Sequence, residues 1–495
     1  MSADLLLAID QGTTGTTVLV MDTEGRTLAR HTEEFAQHYP QPGWVEHEPD
    51  EIWKSVQTSV ARVVEQVDAK RLAAIGITNQ RETTLLWDRK TGAPVHRAIV
   101  WQDRRTASEC ERLRAEGAED QVRARTGLVL DPYFSGTKLA WMLKNVDGAR
   151  KRAQDGSLAF GTVDTFLIHR LSGGRSHVTD VTNASRTLLM DLAKCAWDPE
   201  MLAMLDVPKG VLPEIVSSAA HIATTSGFAG LPDGLPIAGI AGDQQAALFG
   251  QACFAVGDTK CTYGTGAFAL TNVGPTPKPS QKGLLATAAW RVKDDTVYAL
   301  EGSAFIAGAA VQWLRDGLGI IERSSDVEAL ARSVSSSDGV VFVPALSGLG
   351  APHWDPHARG LFSGITRGTT RGHIARAALE GIAFQVADLL RAMSDDLGRP
   401  LARMRVDGGA AANDLLMQFQ SDVANVTIER PRELESTARG AAMLAGVGVG
   451  LFPNIEAASR MSKPERTFHP SLPDAERQAH LGRWQHAVRL ATLPR

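Results

Sequence analysis

The stretch LLLAIDQGTTGTTVLVMD, residues 5–22, contains two apolar runs separated by a turn of glycine and threonine. The first run is typical of a buried strand and the second is rich in β-branched residues, so the pattern predicts a β-hairpin. Glycine lets a ligand approach the backbone closely, and successive amides in such a turn can bind an anion. Polar Gly/Thr turns are also common in ordinary hairpins, so this stretch by itself leaves both interpretations open.

Two common phosphate-binding motifs do not describe this turn. A Walker A loop ends in Gly-Lys-Ser/Thr, and both it and the dinucleotide fingerprint lead into a helix. Here no such triplet follows, and the next element reads as a strand. Asp10, at the end of the first strand, has the chemistry to hold Mg²⁺ directly or through water.

A second stretch, GDTKCTYGTGAFALTNVG at residues 257–274, repeats the strand, Gly/Thr-rich turn and strand nearly half-way along the chain. The repeat predicts two similar halves, which we divide as residues 1–247 and 248–495. Two amide-rich hairpin loops, one in each half, could clamp a polyphosphate from both sides. The remaining chain mixes strands with helical periodicity, including an amphipathic helix over residues 372–393, which indicates an α/β architecture.

Composition excludes several classes of protein. The 495 residues are 43% hydrophobic and 22% charged, with a net charge of −4, so no basic footprint for nucleic acid or for an anionic membrane is present. No stretch approaches the roughly 18 apolar residues of a membrane span. The four cysteines are too sparse for a disulfide framework, so we expect reduced thiols and a cytoplasmic protein with no membrane or nucleic-acid partner.

Two polar segments follow apolar strands. NQRETT (Asn79–Thr84) and GDQQ (Gly242–Gln245) both lie where the carboxyl ends of α/β strands usually bind ligands. Arg81 and Glu82 suit a small polyhydroxylated molecule, although a solvated surface pair is the alternative. Asp243 could accept a proton from a substrate hydroxyl, or could simply cap a helix. HWDPHARG spaces two histidines like a zinc motif, but its two prolines prevent a regular helix.

Taken in order, these motifs resemble a known family. Together with AIVWQDRRT, DPYFSGTKLAWML, YALEGSAFIAGAAVQWLRD, RVDGGAAANDLLMQFQSD and STARGAAMLAG, they cover nearly the whole chain. The chain resembles the glycerol kinases of the FGGY family of sugar and polyol kinases, which share the actin–hexokinase–Hsp70 ATPase fold. The resemblance implies two ribonuclease-H-like α/β domains, with mixed β-sheets flanked by helices and an active site in the cleft between them. It further implies ATP, Mg²⁺, glycerol as substrate, sn-glycerol 3-phosphate as product, and a homodimer or homotetramer.

The resemblance also implies roles for individual residues. Asp243 is the expected catalytic base, and Asp10 and Asp243 lie where the family approaches Mg²⁺. The expected glycerol-binding residues are Arg81, Glu82, Trp101, Tyr133, Asp243 and Gln244. The expected nucleotide-binding residues are Thr13, Thr14, Gly264, Thr265, Gly266, Gly308, Gln312, Gly409 and Asn413.

The chain departs from the family pattern at two places. Many members carry arginine at the position of Thr17, so a β-phosphate contact is missing and nucleotide affinity is expected to be lower. The stretch SGFAGLPDGLP (Ser226–Pro236) lacks the arginine through which some bacterial members bind fructose 1,6-bisphosphate, so we expect no such feedback control. Two alternatives remain, a kinase for another small polyol or sugar and an ATP-driven conformational protein of the actin or Hsp70 type.

Overall fold

The computed structural model describes residues 3–433 and 435–493. The strands within these residues are β1 (Leu5–Gln11), β2 (Gly15–Asp22), β3 (Thr27–Glu34), β4 (Glu46–His47), β5 (Leu72–Asn79), β6 (Leu85–Asp88), β7 (Ala98–Ile99), β8 (Leu158–Gly161), β9 (Val178–Asp180), β10 (Met190–Asp191), β11 (Ala196–Trp197), β12 (Glu214–Val216), β13 (Ala219–Thr224), β14 (Pro236–Gly242), β15 (Asp258–Tyr263), β16 (Ala267–Gly274), β17 (Leu285–Val292), β18 (Asp295–Ala304), β19 (Val341–Val343), β20 (Leu361–Ser363), β21 (Arg403–Asp407), β22 (Ile428–Pro431) and β23 (Pro464–Phe468).

The α-helices within the same residues are α1 (Pro49–Val64), α2 (Ala107–Ala115), α3 (Glu119–Thr126), α4 (Ser135–Asn145), α5 (Ala149–Gln154), α6 (Val163–Leu171), α7 (Val181–Ala184), α8 (Pro199–Met204), α9 (Asp243–Gly250), α10 (Gly308–Asp316), α11 (Asp326–Arg332), α12 (Arg371–Leu397), α13 (Asp414–Ala424), α14 (Ser436–Gly448), α15 (Ile455–Ala458) and α16 (Asp474–Ala491). The predicted helix over residues 372–393 is thus confirmed as most of α12. The predicted α/β architecture is also confirmed.

Both predicted hairpins form, and each begins a half with the same strand order. In the first half the order across the sheet is β3, β2, β1, β5, β14, with β1 antiparallel to β2 and parallel to β5. In the second half the order is β18, β16, β15, β21, β22, again with an antiparallel hairpin followed by parallel strands. The carboxyl ends of β1 and β5 therefore lie side by side, as do those of β15 and β21. Each amide-rich turn sits at such an edge, where α/β proteins bind ligands.

The two halves share one hydrogen-bonded series of thirteen strands among the described residues, rather than two separate sheets. The connection is slight, because β13 and β17 pair only at Ala219 and Val292. A single pair of residues leaves the two sheet regions distinct, each covered by its own helices. The expectation of a mixed sheet in each half is therefore met, with a narrow bridge added between them.

Helix α14 belongs to the second half but packs on the sheet of the first. A Cβ atom at Gly76 of β5 would overlap the carbonyl oxygen of Ala441, and one at Gly440 would overlap that of Ala246 in α9. These glycines let α14 approach both the sheet and α9 at backbone distance. Since α9 begins at Asp243, this packing positions the first turn of α9 between the halves.

Candidate active site

The first amide-rich loop directs its free N–H groups away from the protein. The carbonyl of Gly12 accepts from the side chains of Gln11 at 2.7 Å and Gln80 at 3.1 Å, and that of Thr13 accepts from Gln37 at 3.0 Å. In a trans peptide the N–H points opposite to the carbonyl, so the amides of Thr13 and Thr14 point outwards. Neither amide donates to a partner within the described residues. Two adjacent outward amides have the arrangement of an anion-binding nest.

The second loop also directs its free N–H groups away from the protein, but backbone amides rather than side chains hold its carbonyls. Its carbonyls at Gly264 and Thr265 accept from backbone amides at the start of α10, with distances of 2.8 to 3.1 Å from Ala307, Gly308 and Ala309. The amides of Thr265 and Gly266 consequently face the other way, and in the described part of the chain they have no partner. A Cβ atom at Gly266 would lie 2.6 Å from the carbonyl oxygen of Ala304, so only glycine fits there.

A cavity of about 510 Å³ opens beside the second loop. It brings together six of the predicted nucleotide-binding residues, which are Gly264, Thr265, Gly308, Gln312, Gly409 and Asn413. A Cβ atom at Gly409 would meet no protein atom within 4 Å, so the space in front of it is open to a ligand. The volume falls within the range of ordinary small-molecule sites.

Arg81 and Glu82 form a buried ionic cluster, so the alternative of a solvated surface pair was wrong. Their exposed fractions are 3% and 1%. The Arg81 Nε lies 3.1 Å from Asp243 Oδ1, and the Tyr133 hydroxyl accepts from Arg81 Nη2 at 3.3 Å. Glu82 has a positive φ of 61°, an uncommon conformation for a residue other than glycine and one often found at functional sites.

Two members of this cluster were not predicted from the sequence. Glu301 accepts from Arg81 Nη1 at 2.5 Å and from Arg81 Nη2 at 3.0 Å, and it also accepts from Arg186 at 3.1 Å. Arg186 in turn donates to Glu82 at 2.6 Å. Although burial opposes ionisation, the guanidiniums of Arg186 and Arg81 lower the pKa of Glu301 to about 2. A lone acid in the apolar run YALEGSAF was the sequence signal that could have revealed Glu301.

Asp243 projects into the space between the halves. Gly242 is the N-cap of α9 and Asp243 is the first residue of the helix. The alternative in which Asp243 itself caps the helix was therefore wrong. A Cβ atom at residue 242 would lie 2.7 Å from the Arg81 side chain, so glycine there lets Arg81 reach Asp243. The Asp243 side chain is 33% exposed, so its second oxygen is available to a substrate.

Gln244 links Asp243 to the second half. Its Oε1 accepts from Lys260 Nζ, on the strand that leads into the second amide loop. Because a lysine can only donate, the Gln244 amide must turn its oxygen to Lys260 and its NH₂ elsewhere. The loop of the second half is thereby tied to the residue that follows Asp243.

Two aromatic residues form a wall next to the first loop. The Trp101 Nε1 donates to the Thr13 hydroxyl at 3.0 Å, and the Trp101 and Tyr133 rings meet edge to face with centroids 5.7 Å apart. Tyr133 also contacts Arg81, so the aromatic wall and the ionic cluster border the same space. An apolar face opposite charged groups suits a small polyol, which has both carbon and hydroxyl surfaces.

Asp10 has a carboxyl group that could ligate a divalent cation once the cation displaces its proton. Desolvation by the surrounding protein, and secondarily the carboxylate of Asp243, raise the pKa of Asp10 to about 8. Its carboxyl group accepts no hydrogen bond from the described residues. The Asp10 carboxyl and the second oxygen of Asp243 fit a hard cation that also keeps waters or phosphate oxygens as ligands. Within residues 3–433 and 435–493, no cluster of three or more His, Cys, Asp or Glu side chains is arranged to hold a metal ion. The two histidines of HWDPHARG therefore belong to no such cluster.

The architecture defines a class of two-domain α/β proteins whose halves share one strand order. Residues 5–250 match the N-terminal domain and residues 259–449 the C-terminal domain of the FGGY family of carbohydrate kinases. The chain belongs to this family.

Individual relatives narrow the comparison. The chain is 58% identical to the glycerol kinase of Myxococcus xanthus over 493 residues, covering 99% of each chain, and 56% identical to that of Alkalilimnicola ehrlichii, covering 98% of each. A crystal structure of Plasmodium falciparum glycerol kinase with ADP matches with a TM-score of 0.95 at 36% identity, over 100% of this chain and 99% of that one. No helix among the described residues is both long and apolar enough to cross a membrane.

Proposed function

We propose that this protein transfers the γ-phosphoryl group of ATP to glycerol and releases sn-glycerol 3-phosphate and ADP. The observation that carries the proposal is the identity of more than half of all positions to curated glycerol kinases over the whole chain. The buried cluster around Arg81 supports a polar acceptor, and the two amide loops support a polyphosphate donor.

The acceptor would lie between the ionic cluster and the aromatic wall. In this proposal Arg81 donates to a glycerol hydroxyl and Glu82 accepts from one, while the free NH₂ of Gln244 donates to another. Tyr133 supplies a further hydroxyl contact, and Trp101 covers the carbon side of the substrate. Burial makes each of these hydrogen bonds discriminating, because an acceptor that lacks a hydroxyl would leave a buried polar group unpaired.

The donor would span the two halves. The adenosine would occupy the cavity lined by Gly308, Gln312, Gly409 and Asn413. Its phosphates would extend towards the amides of the second loop at Gly264, Thr265 and Gly266, and of the first loop at Thr13 and Thr14. Since phosphoryl transfer depends mainly on positioning and charge stabilisation, amides fixed before the substrate arrives are well suited to it.

Mg²⁺ is proposed to be held by Asp10 and Asp243, with waters and phosphate oxygens completing its shell. When bound, the ion would neutralise charge on the transferring phosphoryl group. On binding, the ion would replace the proton that the raised pKa of Asp10 favours in its absence.

Asp243 is the proposed catalytic base. Arg81 holds one of its oxygens at 3.1 Å, so the other can accept the proton of the glycerol hydroxyl that attacks the γ-phosphorus. In a loose transition state the proton leaves late, so orientation of the hydroxyl is the larger part of this task. Closure of the two halves, proposed as domains 1–247 and 248–495, would exclude water and prevent hydrolysis of ATP.

The proposed setting is the cytoplasm, where a reducing environment suits four free, buried cysteines. The homodimer or homotetramer that the family resemblance implies remains a prediction, and sedimentation equilibrium of the purified protein would measure it.

A coupled ADP-release assay tests the proposal. The purified protein is given Mg-ATP with glycerol, dihydroxyacetone, erythritol, xylulose or no acceptor. The expected result is the highest kcat/KM with glycerol and little ADP without an acceptor. A higher kcat/KM for another acceptor would favour a kinase for that polyol or sugar. ADP release that is independent of every acceptor would favour the ATP-driven conformational protein.

A further inference from the structure

Besides Gln11, three side chains that the proposed chemistry does not use brace the first amide loop from behind. Gln37 donates to the Thr13 carbonyl at 3.0 Å, and its Oε1 lies 2.6 Å from Nε2 of His47. Gln80 donates to the Gly12 carbonyl at 3.1 Å and lies 3.5 Å from Nδ1 of His47. His47 has no exposed surface, so the brace is anchored in the protein interior.

The direction of each hydrogen bond in this brace is determined. Because a carbonyl only accepts, the Gln37 NH₂ must face Thr13, and the Gln37 oxygen must face His47. His47 therefore carries its proton on Nε2 and presents Nδ1 as an acceptor towards Gln80. Burial of the ring, and secondarily the charge of His38, lower the pKa of His47 to about 4, which agrees with this neutral tautomer.

The two loops need different braces because they lead into different kinds of structure. The second-loop carbonyls are held by backbone amides where α10 begins. The first loop leads directly into β2, which pairs with β1 on one side and with β3 on the other, so side chains do the same work. Without Gln37 the Thr13 carbonyl would lose its hydrogen-bond donor, and a turned-over Thr13–Thr14 peptide would present a carbonyl oxygen in place of an N–H.

We propose that Gln37, supported by His47, is a positioning residue for the nucleotide phosphates. It sets the outward direction of the Thr14 amide by holding the Thr13 carbonyl. This inference rests on the proposed function, since it takes a phosphate to be the ligand of the first loop. It predicts that nucleotide affinity, and not glycerol affinity, depends on a residue that contacts neither substrate.

The test compares Gln37→Leu with the wild type by calorimetric titration of ADP without glycerol and by steady-state kinetics. We expect the Kd for ADP and the KM for ATP to rise about tenfold, the effect of one lost hydrogen bond to a charged group. The KM for glycerol should stay within twofold. Gln66→Leu is the matched control, because Gln66 donates only to the Arg62 carbonyl on the exposed side of α1.

A second variant, His47→Gln, tests the same brace if Gln37→Leu does not fold, and it should raise the Kd for ADP two- to fivefold. A folded variant with the wild-type Kd for ADP overturns the inference. So does an equal rise in both KM values with a lower Tm, which would indicate a merely structural role. If the wild type binds ADP but forms none from ATP in the presence of glycerol, the proposed function is contradicted. The Kd values for ADP would still test the brace. A wild type that does not bind ADP would overturn both.

Discussion

At the scale of single residues, Asp243 is the most informative position. It is partly exposed to solvent, held at 3.1 Å by Arg81 and placed at the first turn of α9. Its neighbour Gln244 has its amide orientation dictated by Lys260. The proposed chemistry therefore depends on side chains whose direction is determined before substrate arrives, which is how positioning contributes to rate.

Asp243→Asn should lower kcat at least about 100-fold, because an amide cannot take the hydroxyl proton. The Arg81 side chain keeps Glu301 as a partner, so the variant should fold and its KM for glycerol should change less than kcat. Steady-state kinetics with saturating Mg-ATP would measure both parameters. Asp206→Asn, at an exposed position, is the control. Near wild-type kcat in Asp243→Asn would remove Asp243 from the catalytic role.

Glu301→Gln should lower the free energy of unfolding by about 3 kcal/mol, because it leaves Arg81 and Arg186 buried without their shared carboxylate. The KM for glycerol should also rise, since Arg81 loses its bidentate support. Denaturant unfolding and glycerol kinetics would measure the two effects. The matched control is Glu200→Gln, because Glu200 is exposed and its partner Arg125 partly so, and this loss should cost less than about 1 kcal/mol. Equal losses in the two variants would contradict the role of Glu301.

At the scale of elements, the first hairpin was the easiest part to predict, and the residue in it that calls for an experiment is Thr17. Its strands are apolar runs and its turn is rich in glycine and threonine, so local sequence specified it. The register places Thr17 directly opposite Asp10 on β1, and the Thr17 hydroxyl pairs with that of Thr32 on β3 at 2.9 Å. Residues directly opposite one another share a face of the sheet. An arginine at residue 17 would therefore lie on the same face as Asp10.

Thr17→Arg should lower the Kd for ADP about three- to tenfold, the range expected for one added cation near a phosphate. Calorimetric titration in the presence of Mg²⁺ would measure it. Thr27→Arg, at the far end of the β2–β3 hairpin, adds the same charge away from the loop and should leave the Kd unchanged. If both variants lower the Kd for ADP equally, a general charge effect is responsible, and the absence of arginine at residue 17 does not weaken nucleotide binding.

The elements also show where sequence reasoning stopped. Gly/Thr turns, apolar strands and the helix over residues 372–393 could be predicted, because their signals lie within a few residues of one another. The role of Glu301 could not, although the lone acid in an apolar run is visible in the sequence, because its partner Arg81 is 220 residues away. Gln37 could not either, because its partner is a backbone carbonyl that carries no sequence signature.

At the scale of the whole molecule, two desolvated histidines make stability depend on pH. Burial, and secondarily the charge of His38, lower the pKa of His47 to about 4. Burial likewise lowers the pKa of His177 to about 4, although its hydrogen bond to the Phe160 carbonyl opposes the shift. The unfolded chain protonates these rings below about pH 6.5, whereas the folded protein does not. Stability from each is complete above pH 6.5 and is lost as the pH falls towards 4.

His177→Gln should therefore flatten the pH dependence by up to about 1.4 kcal/mol per pH unit between pH 6.5 and 4. Denaturant unfolding of wild type and variant across this window would measure the difference. Taking the difference cancels groups with the opposite sign, such as Asp164, whose pKa burial and then Asp180 raise to about 7. Parallel curves for the two proteins would show that His177 titrates normally in the fold.

The sequence by itself determined the two hairpins, the α/β class and the resemblance to a kinase family, because periodicity, turn composition and ordered motifs are local properties. Only the tertiary structure decided how the turn DQGTTGTT presents itself to a ligand. Its outward amides depend on Gln37 and Gln80 reaching the carbonyls behind them. The buried state of Arg81 likewise depends on a carboxylate from the other half of the chain. Burial and hydrogen-bond direction arise from contacts between distant residues, and no local pattern encodes them.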